Sequence, residues 1–175
     1  MKFEKVSKET FRLALVDSFM KQGKTEEEAQ CFASSIATEN LDDIDIPKRS
    51  TVSSAGYDFQ TPFSFVIKPG ETIIVPTGIK VKLDTDKVLM IAPRSSIGIK
   101  KHLKLSNTQA YIDADYYNNT SNEGHILLAI TSENKENVSI SYKDKIAQGI
   151  IIHYFTTEDD DCTDTRNGGI GSTGK

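Results

Sequence analysis

The sequence has no tryptophan, only two cysteines, and no apolar run near the roughly 20 residues that span a bilayer. Its first ten residues, "MKFEKVSKET", lack the apolar core of a signal peptide. Cys31 and Cys162 are far apart in the chain, which suits free thiols better than a disulfide framework. His102, His125 and His153 lack ligand spacing, which argues against a bound zinc ion. We therefore expect a soluble, cytoplasmic protein without a membrane partner.

Excess positive charge is missing as well. The 175 residues carry a formal net charge of -4 with both signs interspersed, so no general affinity for nucleic acid is predicted. A small polyanion could still bind to a few local Arg and Lys side chains. The length suits one domain with an appendage.

The first region, residues 1–41, has two stretches with helical periodicity. Phe11, Leu15 and Phe19 form one apolar stripe that ends near Gly23. Thr25 and Glu28 then have the spacing of a capping box. Behind it, five apolar residues recur at helical spacing: Ala29, Phe32, Ala33, Ile36 and Ala37. We expect an N-terminal helical hairpin that packs on the rest of the chain or offers a surface to a protein partner.

The second region, residues 42–155, has a different composition and residue pattern. All five prolines lie between Pro47 and Pro93, and short β-branched segments alternate with turn signals. These segments are "SFVI", "TIIVPTG", "IKVKL", "VLMIAP", "HILLAIT", "NVSISY" and "IAQGIIIHYF". Many short strands without amphipathic helices between them predict a mainly β sandwich or barrel. Residues 156–175 follow as an acidic linker and a glycine-rich arm.

One candidate for chemistry is "APRSSIGIK", residues 92–100. Arg94, Ser95 and Ser96 follow an apolar strand, and a guanidinium beside two hydroxyls suits phosphate oxygens. An ordinary surface turn with a structural Arg explains the segment equally well.

Another candidate is "NTQAYIDADYYNN", residues 107–119. In an alternating strand, Asp113 and Asp115 would share one face, where they could hold a hydrated cation or activate a water. Tyr116 beside them could serve as a platform for a sugar or a base. The polar outer face of a hairpin is the simpler alternative.

Three weaker segments complete the set. Asp58 in "SSAGYDF" and Gln148 in "YKDKIAQG" each follow a turn and are unremarkable alone. The final "GGIGSTGK" is not a P-loop, because the Lys-Ser/Thr pair that ends that motif is missing. It predicts either a linker or a flexible strap over an anion that is held elsewhere.

In this order, the segments "SSAGYDF", "APRSSIGIK", "NTQAYIDADYY", "KDKIAQG" and "RNGGIGSTG" resemble the five motifs of the homotrimeric deoxyuridine triphosphatase (dUTPase) family. The resemblance runs from about Pro47 to Lys175. It implies a jelly-roll-like β-barrel, a homotrimer with shared active sites, and Mg²⁺-assisted hydrolysis of dUTP to dUMP and pyrophosphate. Such an activity limits uracil in DNA and supplies dUMP for dTMP synthesis.

The resemblance also implies roles for individual residues. Asp113 would activate the attacking water, and Asp58 would reach Mg²⁺ through water. The Asn107–Asp113 hairpin, including Ile112, would read uracil, and Tyr116 would lie under the deoxyribose. The phosphates would be contacted by Arg94, Ser95, Ser96 and Gln148. The C-terminal arm would close the site with Arg166, Ile170, Gly171, Ser172 and Thr173.

Three positions depart from the family pattern. Ala110 and Ile170 stand where Gly and Phe are usual, and Arg166 is one residue closer to the double glycine. From Ile170 we expect weaker closure of the arm, since an aliphatic side chain forgoes ring stacking. Two alternatives stay open: a dCTP deaminase of the same fold, and a regulatory protein in which dUTP binding controls a partner.

Overall fold

The computed structural model describes residues 1–164 and residue 168. The chain is mainly β, with two α-helices, α1 (Lys8–Lys21) and α2 (Glu26–Glu39), near its start. The strands are β1 (Lys2–Lys5), β2 (Tyr57–Gln60), β3 (Phe65–Ile67), β4 (Thr72–Pro76), β5 (Ile79–Lys82), β6 (Lys87–Pro93), β7 (Leu103–Leu105), β8 (Ala110–Ile112), β9 (Leu127–Ser132), β10 (Val138–Ile140) and β11 (Lys145–His153). Within the described residues, neither helix is long and apolar enough to cross a bilayer.

Both helices begin at side-chain caps. The Ser7 hydroxyl accepts a hydrogen bond from the Thr10 amide at the start of α1. At the start of α2, Thr25 and Glu28 form the predicted capping box, in which each side chain bonds the other residue's amide. These local contacts satisfy amides that would otherwise lack a partner in the first helical turn.

The two helices bury different kinds of side chain. The predicted stripe of α1, Phe11, Leu15 and Phe19, is buried. The buried residues of α2 are its small ones, Ala29, Ala33 and Ala37. Phe32, which we had placed on the same stripe, is 48% exposed and contacts Phe19 at 6.1 Å between ring centroids. The alanines allow α2 to lie close to its neighbours, so the larger ring remains at the edge.

In the part of the chain that the structure describes, the strands form four antiparallel sheets. The four-stranded sheet has the order β2-β11-β6-β8, and the three-stranded sheet has the order β4-β9-β7. Two further pairs are β10 with β3 and β1 with β5. The seven segments quoted from the sequence all contain strands, but β1 and β7 had not been predicted.

The N-terminal region shares its core with the sheets. Phe11 and Leu15 of α1 are fully buried in the same cluster as Ile73 and Val75 of β4. The Ser18 hydroxyl of α1 donates to the Ile74 carbonyl of β4 at 2.5 Å. Residues 1–41 therefore contribute directly to the packing of the β structure.

Candidate functional site

Three adjacent strands of the four-stranded sheet bring Asp58, Gln148 and Arg94 together. Asp58 on β2 pairs with Gln148 on β11, and Gln148 also pairs with Ala92 on β6. Arg94 follows the end of β6, where its amide donates to the Ile146 carbonyl of β11 at 3.4 Å. Residues that are up to 90 positions apart thus meet at one end of this sheet.

Asp58 is the buried carboxylate of this cluster. Its Oδ2 accepts hydrogen bonds from Ser50 Oγ and Lys145 Nζ, both at 2.8 Å, and its Oδ1 lies 3.4 Å from Arg94 Nε. Burial by itself raises the pKa of the carboxyl group, but the bonds from Lys145 and Ser50 and the charge of Arg94 lower the pKa below its usual value. Asp58 is therefore ionised and orients Arg94.

The turn after β6 presents the serines. The carbonyl of Arg94 accepts hydrogen bonds from the amides of Ile97 and Gly98, both at 2.9 Å, at the start of a π-helical turn over Ser96–Lys100. Ile97 is buried and anchors the turn, while Ser95 and Ser96 are exposed. The two hydroxyls are therefore accessible beside the guanidinium.

A cationic cleft of about 390 Å³ lies at the same place. Arg94, Lys101, Lys143 and Lys145 contribute positive charge to its lining, and Asp144 contributes the opposite charge. Such an excess of cationic side chains in a concave site attracts anions. The cleft thus has the charge that a phosphate chain requires.

Gly56 leaves room for Gln148. A Cβ atom at Gly56 would lie 2.9 Å from Gln148 Oε1 and 3.4 Å from Gln148 Cβ. The absence of a side chain there lets Gln148 extend toward the cluster. This close approach explains why the motif "SSAGYDF" has a glycine at position 56.

The hairpin that carries Asp113 lies elsewhere on the sheet. Strand β8 ends at Ile112, and a 3₁₀ turn over Ala114–Tyr116 begins directly after Asp113. The predicted strand alternation of Asp113 and Asp115 is therefore wrong, because the chain leaves the extended conformation between them. Both carboxylates are exposed.

Tyr116 closes this turn and is only 6% exposed. Its hydroxyl donates to the His125 carbonyl at 3.2 Å and accepts from Asn122 Nδ2 at 2.8 Å. Asn107, at the other end of the hairpin, is exposed, and Ile112 is half-buried opposite Leu89 of β6. The loop of residues 117–124 is thus folded against the tyrosine.

The phosphate-type cluster and the hairpin lie at opposite ends of β6. Ile112 pairs with Leu89 near the start of β6, whereas Arg94 follows its end. Arg94 lies five positions after Leu89 in extended chain, which corresponds to about 17 Å. A single chain therefore does not bring Asp113 next to Arg94.

Ser50 and Lys145 are the site residues that sequence reasoning missed. Lys145 belongs to the quoted segment "YKDKIAQG", but simple alternation would place it on the same face as the buried Ala147. The β2–β11 register shifts between these two residues, and this bulge turns Lys145 toward Asp58. Nothing in the residue pattern signals the bulge.

Some predicted site residues lie outside the described part of the chain. These residues are Arg166, Ile170, Gly171, Ser172 and Thr173. Among the described residues, no group of three or more His, Cys, Asp or Glu side chains is arranged to hold a metal ion.

Comparison with known proteins identifies the class. The family model described as dUTPase matches residues 42–174, well over half of the chain. The deoxyuridine 5'-triphosphate nucleotidohydrolase of Lactococcus lactis is 40% identical over 133 residues, which cover 75% of this chain and 89% of the relative. The chain therefore belongs to the dUTPase family.

Solved structures agree with this assignment. The crystal structure of dUTPase from Streptococcus mutans has a TM-score of 0.61 and 36% identity, and the match covers 69% of this chain and 91% of that one. A dUTPase from phage phi11 of S. aureus, described with a structural Mg(II) ion, has a TM-score of 0.59 and 22% identity. That match covers 72% of this chain and 92% of the phage protein and reflects the fold.

Proposed function

We propose that this chain hydrolyses dUTP to dUMP and pyrophosphate, with Mg²⁺ bound to the substrate. The observation that carries this assignment is the Asp58–Arg94 pair beside Gln148, in a chain 40% identical to a named dUTP nucleotidohydrolase. The fixed guanidinium and the exposed hydroxyls of Ser95 and Ser96 suit the phosphate chain.

The hairpin would bind the nucleoside. Among the described residues, strand β8 pairs with β6 and is the last strand of its sheet, so backbone groups on its other edge are available to a planar base. In this arrangement the Asn107–Asp113 backbone reads uracil, with Ile112 beside it. Tyr116 lies under the deoxyribose and leaves no room for a 2′-hydroxyl.

The separation along β6 supports a site that is shared between copies of the chain. Leu89, which pairs with Ile112 next to Asp113, lies about 17 Å along β6 from Arg94, so one nucleotide does not reach both Asp113 and Arg94 of the same chain. We therefore assign the phosphate cluster to one subunit of a homotrimer of jelly-roll-like barrels and the hairpin to a neighbour. The C-terminal arm, with Arg166, Ile170, Gly171, Ser172 and Thr173, would close the site.

The side chains fit a magnesium ion only through its water shell. A carboxylate offers about four acceptor sites, and Ser50, Lys145 and Arg94 already occupy most of those of Asp58. One site remains for a metal-bound water. Mg²⁺ keeps several waters and neutralises phosphate charge when it is bound.

Asp113 is the residue we assign to the chemical step. It takes a proton from a water molecule whose oxygen bonds to the α-phosphorus, and the bond from that phosphorus to the bridging oxygen breaks as pyrophosphate leaves. Arg94 and Gln148 hold the phosphate oxygens while negative charge shifts toward the leaving group. A positioned base of this kind contributes about 10²- to 10⁴-fold in rate.

The test is pyrophosphate release from dUTP, dCTP, dTTP and UTP in the presence of Mg²⁺. We expect preference for dUTP and a loss of about 10²- to 10⁴-fold in kcat for Asp113→Asn. Asp115→Asn is the matched control, since it makes the same change two residues later in the exposed 3₁₀ turn. An active Asp113→Asn variant contradicts the mechanism, and ammonia release from dCTP would replace the assigned activity with deamination.

A further inference from the structure

The N-terminal region is fixed along an edge of the β structure. Strand β1 pairs with β5 in the register Glu4 to Lys80, and the Val6 amide donates to the Gly78 carbonyl at 3.0 Å. This pairing places Ser7, the N-cap residue of α1, beside the loop of residues 117–124. The dUTPase family match begins at residue 42, so the segment that arrives here lies outside the matched region.

Glu123 joins the loop to this segment. Its Oε1 accepts hydrogen bonds from Ser7 Oγ at 2.5 Å and from Thr10 Oγ1 at 2.6 Å. Its Oε2 accepts from the Ser7 amide at 3.2 Å and from Lys80 Nζ at 3.1 Å. The side chain is 31% exposed, so these bonds are only partly open to water. Four donors from two segments therefore converge on one carboxylate.

A second set of contacts ties the beginning of the loop to the same edge. The Tyr117 hydroxyl donates to Glu4 of β1, and Lys80 Nζ donates to Asn118 Oδ1 at 2.8 Å. The Lys80 ammonium also lies 5.4 Å from the centroid of the Tyr117 ring. Both ends of the loop are thus held by β1, β5 and the start of α1.

The loop in turn holds Tyr116. Asn122 Nδ2 donates to the Tyr116 hydroxyl at 2.8 Å, and Asn119 Nδ2 donates to the Tyr116 carbonyl at 2.9 Å. The Asn118 amide donates to the Glu123 carbonyl at 3.0 Å, which closes the loop on itself. Contacts therefore run without a gap from Ser7 through Glu123 and Asn122 to the tyrosine.

We propose that the N-terminal region positions the nucleoside part of the active site, with Glu123 as the positioning residue held by Ser7 and Thr10. The region fixes the loop of residues 117–124 and thereby the small exposed edge of Tyr116. Loosening that loop leaves the phosphate cluster unchanged but widens the space beside the sugar. The consequence is weaker discrimination between dUTP and UTP.

Glu123→Gln tests this role in the full chain, because it keeps the size of the side chain and removes its charge. Since the role rests on the proposed dUTP hydrolysis, kcat and KM are measured for both dUTP and UTP. We expect the dUTP-to-UTP ratio of kcat/KM to fall about tenfold, mainly through a lower KM for UTP, because the widened space admits the 2′-hydroxyl. Glu9→Gln is the matched control on α1, because Glu9 pairs with Arg12 and is 64% exposed. It should keep the wild-type ratio.

Substitutions of Thr10 give a second test, which leaves the charge of Glu123 unchanged. Thr10→Val removes one donor to Glu123, whereas Thr10→Ser keeps the hydroxyl. We expect the valine variant to lose discrimination in part and the serine variant to keep it, with far-UV circular dichroism showing equal folding. If Glu123→Gln does not fold, the Thr10 pair decides the matter.

The possible failures are distinguishable. A wild-type chain that releases no pyrophosphate from dUTP contradicts the proposed function. A wild-type chain that is active, together with a folded Glu123→Gln variant of unchanged dUTP-to-UTP ratio, overturns the positioning role alone. Identical ratios for Thr10→Val and Thr10→Ser overturn it as well.

Discussion

The two ends of β6 are organised by two carboxylates in different ways. At one end, the buried Asp58 accepts hydrogen bonds from Ser50 and Lys145 and forms an ion pair with Arg94. All of these residues lie within the dUTPase match. At the other end, Glu123 holds the loop beside Tyr116, and half of its donors come from Ser7. The phosphate-type cluster is therefore complete within the family domain, whereas the hairpin end depends on the N-terminal region.

The tightest packing at the hairpin end is at Gly124, so we expect a substitution there to have the largest effect. A Cβ atom there would lie 2.6 Å from the Tyr116 carbonyl oxygen, and the residue has a φ of +79°. Neither the backbone of Gly124 nor that of Tyr116 can move without disturbing the loop of residues 117–124. We expect Gly124→Ala to lower the free energy of unfolding by about 3 kcal/mol.

Gly70→Ala separates the clash from the conformational strain. Gly70 has a similar φ of +73°, and none of the described atoms lies within 4 Å of its Cβ position. Its substitution should cost about 1 kcal/mol, the strain of a left-handed backbone alone. Urea denaturation at fixed protein concentration measures both variants. Equal losses would show that contact with Tyr116 contributes nothing.

Asp58→Asn probes the other end of β6. The amide keeps the shape but leaves Lys145 and Arg94 without a carboxylate, and hydrogen bonds to charged groups contribute about 2 kcal/mol. We expect a loss of that size in the free energy of unfolding, and a higher KM for dUTP because Arg94 is no longer oriented. The readouts are urea denaturation and steady-state kinetics.

Asp43→Asn is the matched control for this substitution. Asp43 also pairs with a lysine, Lys143, at 2.7 Å, and accepts a hydrogen bond from the Tyr142 hydroxyl at 2.7 Å, but its side chain is 61% exposed. Asparagine keeps an oxygen acceptor for Tyr142. Exposed ion pairs contribute little to stability. Urea denaturation of this variant should therefore give the same free energy of unfolding as the wild type. A loss as large as that of Asp58→Asn would indicate that burial does not distinguish the two carboxylates.

Local patterns predicted much of this arrangement, and contacts distant in sequence did not follow from them. The capping box of Thr25 and Glu28 spans three residues, so its donors and acceptors can be recognised from spacing alone. Ser7 and Glu123 are 116 residues apart, and only the pairing of β1 with β5 brings them together. No local periodicity records such a contact.

The candidate site shows the same division. The residue pattern alone made Arg94 a phosphate candidate, whereas Gln148 and Asp58 were indicated only by the resemblance to the dUTPase motifs. Lys145 was missed, since a bulge in β11 reverses the face on which it lies. Alternation failed at Asp113 because the backbone enters a 3₁₀ turn there. The sequence therefore predicted residue types, whereas the bulge and the 3₁₀ turn determine the directions of the side chains.

A pH dependence of the free energy of unfolding also distinguishes the two ends of β6. His125 is buried between Phe11 and the loop of residues 117–124, and its Nε2 accepts a hydrogen bond from the Gly78 amide at 2.8 Å. Burial lowers the pKa of His125 from 6.5 to about 3, although the nearby Glu123 charge opposes this shift. Hydrogen bonds from Ser7, Thr10 and Lys80 outweigh burial at Glu123 and lower its pKa from 4.5 to about 2.

Between pH 6.5 and 4.5 the unfolded chain binds a proton at His125 that the folded chain does not bind. The free energy of unfolding should therefore fall on acidification across this window, by at most about 1.4 kcal/mol per pH unit. His125→Gln keeps an acceptor for Gly78 and removes this slope, whereas Glu123→Gln retains the slope here and reduces the further loss below pH 4.5. Urea denaturation at a series of pH values measures both. An unchanged slope in His125→Gln would show that His125 is not its source. The phosphate-type cluster does not produce a slope in this window, because the lowered pKa of Asp58 acts only at lower pH.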